Sequence, residues 1–109
     1  MIDASLMAAL LDSLKDPFVF VDTAHIIRYM NKAAIAYFER GAALVGTSVL
    51  DCHNEDSQRQ ILEIFAAMRG GENERLITDN EKHRIFMRAV RATDGTLLGY
   101  YERYEPPAR

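Results

Sequence analysis

Cysteine is nearly missing from this chain. Cys52 is the only one in 109 residues, so no internal disulfide can form and the sequence suits a reducing compartment. Positive charge is not in excess either: 13 Lys and Arg stand against 16 Asp and Glu, a formal net charge of -3, which argues against the broadly basic surface of nucleic-acid binders. No apolar run approaches the roughly 20 residues that cross a bilayer, and no basic leader precedes an apolar stretch. The expectation is a cytoplasmic chain without membrane insertion. A glycine-rich phosphate loop, an internal repeat and low-complexity tracts are also missing; Gly70-Gly71 reads as a helix stop. His25, His53 and His83 lie too far apart for a familiar zinc spacing, so no metal site is expected.

What is present is an ordinary globular balance, with 49% hydrophobic and 27% charged residues, enough for one core at this length. Leu6, Met7, Leu10, Leu11 and Leu14 fall three and four apart behind Asp3, which predicts an amphipathic helix over 3–15, stopped by Asp16-Pro17. Strands are predicted over 17–22 and 26–30, joined by a turn at Thr23-Ala24-His25 in which His25 is solvated. Asn31 offers an N-cap to a helix over 32–39 that Gly41 ends, and a helical turn follows near 47–52. Asn54 or Asp51 caps a longer helix over 55–69 whose inward face is Ile61, Ile64, Phe65 and Met68. The last third reads as strands over 75–78, 83–93 and 96–104. Asp94-Gly95 marks a hairpin of the type with positive φ at both turn positions. Hairpins at both ends with helices between them predict an α+β fold, a five-stranded antiparallel sheet with helices on one face. The divisions are a flanking helix at 1–15, a domain at 16–105 and a tail at 106–109.

Several segments carry a resemblance. Asp16-Pro17-Phe18-Val19-Phe20-Val21-Asp22 is similar to the opening strand of PAS domains, and Ile26-Ile27-Arg28-Tyr29-Met30-Asn31-Lys32-Ala33-Ala34 to their second strand and first helix. Gly46-Thr47-Ser48-Val49-Leu50-Asp51 resembles their glycine-led short helix, and Asp94-Gly95 with Gly99 their final hairpin. The resemblance covers about Leu11 to Tyr104. It implies a sensory or regulatory module that is not an enzyme, that holds a small ligand or cofactor in its core, or dimerises, and relays a signal to a partner protein. The chain departs from the family's type at Tyr104-Glu105-Pro106-Pro107, where an acidic-hydroxyl segment often leads into a further helix. That departure makes the N-terminal helix the better element for assembly. A homodimer is expected through Leu6, Leu10 and Leu14 and the outer sheet face.

The candidate ligand site lies between sheet and helices. Phe38, Phe65, Met68 and Met87 supply an adaptable apolar lining, and Tyr29, Tyr37 and Arg88 the polar contacts. Cys52-His53, just before the long helix, could approach the same space. A haem would have to use His53 or Cys52, or His83 on the sheet side, because residues 55–69 contain no histidine; a small apolar or aromatic ligand is the plainer expectation. A flavin photosensor is set aside, since Leu50-Asp51-Cys52-His53-Asn54-Glu55 shares only its cysteine with the light-sensing motif. A ligand-free interaction module is the alternative. An enzyme with a buried acid ranks below both: Asp22 and Asp79 end their strands, and no acid stands out inside an apolar one.

Overall fold

Residues 3–108 are described by the computed structural model; residues 1, 2 and 109, at the outer ends of the expected flanking helix and tail, lie outside them. The chain order is α1 (Ala4–Asp12), β1 (Val19–Asp22), β2 (Ile27–Met30), α2 (Lys32–Tyr37), 3-10 turns at Gly41–Leu44 and Val49–Cys52, α3 (Glu55–Arg69), β3 (Glu74–Asp79), β4 (Arg84–Arg91) and β5 (Leu97–Glu105). The strands form one antiparallel sheet in the order β2-β1-β5-β4-β3, so the two chain ends meet at the β1–β5 pair. The α+β architecture predicted from the pattern is therefore present.

Strand alternation decides which residues enter the core. Val19 faces Met30 and Val21 faces Ile27 across the first hairpin, and all four are buried. On β4 it is Met87 that turns inward, at 1% exposure, while Arg88 points to solvent. Ile64, Phe65 and Met68 of α3 close the core from above, as the helical spacing requires. Asn54 caps α3, its side chain accepting from the Ser57 amide at 2.9 Å.

Three local expectations are corrected. The first helix stops at Asp12 and not at 15, because Ser13 caps it, its hydroxyl donating to the Leu10 carbonyl at 2.6 Å. The second ends at Tyr37; Phe38 is already extended, and Gly41, at φ 54°, opens a 3-10 turn. At the turn of the last hairpin Gly95 has positive φ, at 92°, and Asp94 does not. The Gly95 amide bonds the Ala92 carbonyl and Asp94 accepts from the Thr96 amide. One left-handed glycine follows an ordinary turn, and a separate bulge between Val90 and Arg91 leaves Leu98 of β5 as the extra residue.

Asn31 joins three elements. It is fully buried; its Oδ1 accepts from the amides of Phe18 and Ala34, each at 2.9 Å, and its Nδ2 donates to the carbonyls of Leu11 at 2.9 Å and Asp16 at 3.1 Å. The amide thus uses both donors and both acceptor directions on backbone. Asp12 adds a second fastening, accepting from the Lys32 amide at 3.0 Å and the Tyr29 hydroxyl at 2.9 Å.

Candidate functional site

Between the inner sheet face and the helices lies a cavity of about 100 Å³. Its walls are chiefly aliphatic: Val19, Met30, Leu44, Ile61 and Met87 are all buried. Polar atoms reach it from three directions, from His53 ahead of α3 and from Tyr100 and Glu102 on β5.

His53 is set by its own loop. Its Nδ1 donates to the Val49 carbonyl at 2.7 Å. The Gln58 side chain donates to the carbonyls of Leu50 and His53, each at 2.9 Å, and ties this loop to α3. Tyr100 is buried, and its hydroxyl lies 2.8 Å from Nδ1 of His25. His25 is therefore not the solvated turn residue expected. It sits at φ 66°, its carbonyl accepts from the Val49 amide at 2.8 Å, and its ring meets Phe65 edge-on at 4.8 Å. Burial lowers the pKa of His25 and raises that of Tyr100.

Glu102 is the residue that the sequence reading passed over. It lies opposite Met87 on β5, between the inward-facing Tyr100 and Tyr104, and lines the cavity. Its hydrogen bond comes from the Tyr104 hydroxyl at a long 3.4 Å. Burial raises its pKa, against the opposing pull of the His53 and His83 imidazoles and the Tyr104 bond. The ionised form is thus the less comfortable one in the folded chain. Alternation over Tyr100-Tyr101-Glu102-Arg103-Tyr104 was the available signal, since it puts Glu102 on the face that Tyr101 and Arg103 avoid.

Of the nine candidate site residues, Phe38, Cys52, His53 and Met87 line the cavity. Phe65 and Met68 are buried in the core cluster beside it. The other three belong elsewhere. Tyr29 leans the opposite way, toward α1, with its hydroxyl on Asp12. Tyr37 is 56% exposed at the end of α2. Arg88 is on the solvent face, 3.6 Å from Glu74, because the residue beside an inward Met87 must point outward. Cys52 is an exposed free thiol. A haem does not fit this arrangement: the cavity is smaller than a void of ~150 Å³ that accepts one benzene, so a porphyrin would displace the core.

The outer sheet face has a different character. Arg103 lies over the Phe86 ring, 4.2 Å from its centroid, and pairs with Glu74 at 2.9 Å and with Glu105. Arg84 also reaches Glu105, at 2.7 Å. The Arg103 guanidinium holds Glu74 below the usual carboxylate range.

An antiparallel sheet of this strand order, with helices across one face and a cavity between them, is the architecture of PAS domains. The chain belongs to the PAS domain family, whose model matches residues 7–104. Members of that family generally act as sensory and signalling modules. Among solved structures it is similar to the C-terminal domain of a protein from Streptococcus mutans, with a TM-score of 0.80 and 21% identity over 96% of this chain and 85% of that one. It also resembles a sensory box sensor histidine kinase from Vibrio cholerae, with a TM-score of 0.66 and 15% identity over 94% of this chain and 89% of that one. The PAS domain of a protein from Colwellia psychrerythraea matches with a TM-score of 0.65 and 14% identity over 94% of both chains. No curated protein matches the chain. Identities this low establish the shared fold.

Proposed function

We propose that the chain is a cytoplasmic, non-catalytic sensory module that binds a small ligand in its core and passes the bound state to a partner protein. The observation that carries this reading is the aliphatic cavity met by His53, Tyr100 and Glu102. A buried apolar space with a few converging polar groups is the usual form of a small-molecule site. Ligand binding would act by shifting a population, through contacts that differ between two states. The route outward is short: Tyr100 touches the cavity and holds His25, and His25 holds the loop at Val49. The test is methyl NMR with isopentane as a neutral probe. The methyls of Met30, Ile61 and Met87 are expected to shift while those of Leu6 and Leu10 stay in place; unchanged cavity methyls would contradict the reading.

A second element of the proposal is self-association through α1. Leu6, Met7, Leu10 and Leu14 are each about half exposed, at 48%, 49%, 50% and 47%. No charged residue stands between Asp3 and Asp12 on this helix. An uncharged apolar stripe is self-complementary across a two-fold axis, so a second copy of the chain is the occupant it fits. The outer sheet face beside it supplies the stacked Phe18 and Tyr101 rings, 4.7 Å apart. Sedimentation is expected to show a dimer that Leu10→Asp converts to monomer. A monomeric wild-type chain at micromolar concentration would end this part of the proposal.

A further inference from the structure

Of the four acids on the last three strands, Asp79 is exposed to solvent and two others are matched by arginine. Glu74 meets Arg103 and Arg88, and Glu105 meets Arg84 and Arg103. Glu102 is different. It forms no ion pair among the described residues, it faces the cavity, and its one hydrogen bond is the long contact from Tyr104. Arg103, its chain neighbour, points to the opposite sheet face and is spent on Glu74 and Glu105. The titratable groups facing Glu102 are His53 and His83 on one side and Tyr100 and Tyr104 along its own strand. None of these is a permanent cation. A carboxylate held against aliphatic walls without a cation is costly, and a partner brought from solution removes that cost.

We propose that the core cavity recognises a small aliphatic amine, with its apolar body against Met30, Ile61 and Met87 and its ammonium group on the Glu102 carboxylate. The size follows from the void: a cavity of about 100 Å³ is smaller than the ~150 Å³ that accepts benzene, which limits a ligand to about five non-hydrogen atoms. The class follows from the charge, because a neutral hydrocarbon would leave the carboxylate unpaired and a small carboxylic acid would face a second anion. This inference rests on the cavity being the ligand site.

Isobutylamine and the isosteric isopentane separate the two claims. Both are titrated into the full chain near neutral pH, with the Met30, Ile61 and Met87 methyls as the readout. The same titrations are run on Glu102→Gln and Glu102→Met, which keep the side-chain length, after thermal unfolding shows that they fold. The amine is expected to bind the wild type at least tenfold more tightly than Glu102→Met, with Glu102→Gln between them, and isopentane to bind all three alike. Equal amine affinity for wild type and Glu102→Met, or tighter wild-type binding of isopentane than of the amine, overturns recognition by charge and leaves the cavity reading standing. Cavity methyls that respond to neither compound overturn both.

Discussion

Replacing Asn31 by leucine is expected to cost about 3–5 kcal/mol, a large part of the ~5–15 kcal/mol that holds a domain of this size together. The loss comes from backbone. Two amides, of Phe18 and Ala34, and two carbonyls, of Leu11 and Asp16, lose their partner at a position with no exposure to water. Each unsatisfied buried group costs roughly 1–3 kcal/mol, and some relaxation will recover part of the sum. Asn31→Asp distinguishes this account from simple loss of a helix cap. Aspartate preserves the acceptor for Phe18 and Ala34 and the N-cap with it, but it sets a carboxylate oxygen against the Leu11 and Asp16 carbonyls. It should therefore destabilise nearly as much as leucine at neutral pH and partly recover in acid, where a protonated carboxyl donates one bond. If capping were the whole role, aspartate would be nearly silent. Chemical denaturation measures the loss, and amide exchange in α1 should accelerate in both variants because the Leu11 anchor is gone.

The second large effect is expected at Gly99, where alanine should cost roughly 3 kcal/mol or more. Gly99 stands at φ 153°, and a Cβ there would overlap the Val21 carbonyl oxygen and come within 2.8 Å of the tip of the Phe20 ring and 3.0 Å of the Asp22 Cα. The obstacle is mainly backbone, held in place by the β1–β5 pairing that brings Val21 beside Tyr100 and Asp22 beside Gly99. The variant must open the central strand pair or bend it. Gly95→Ala is the control. It has positive φ but no atom within 4 Å, so it should lose only the local backbone cost of about 1–2 kcal/mol. Thermal unfolding of the two variants side by side reads the difference; equal losses would show that conformation and not close approach sets the demand for glycine at 99.

Both positions show where a linear reading stops. The caps at Asn31 and Asn54, the buried face of α3 and the two terminal hairpins depend on neighbours a few residues apart, and the sequence displays them. The other half of Asn31's role involves residues 13 to 20 positions away, and the pressure on Gly99 comes from a strand near the other end of the chain. The candidate site divides the same way. Met87 and the loop at Cys52-His53 were legible from apolar character and position. Arg88 and Tyr29 could be placed only once the inward phase of each strand was fixed by Met87 and by the Phe20–Tyr29 pair. Glu102 was hidden because its strand mixes tyrosine, glutamate and arginine, so composition masks the alternation that turns it inward. His25 looked like a surface turn residue because its partner, Tyr100, is 75 positions further on.

The central claim is that the space between Met30, Ile61 and Met87 admits a foreign molecule. Diffraction from crystals of the chain held under xenon tests it most directly, since xenon enters dry apolar cavities without chemistry of its own. The account predicts xenon density enclosed by those three side chains and bounded by Glu102 on one side. Xenon seen only elsewhere, with Met87 and Ile61 packed against each other across the gap, would contradict it.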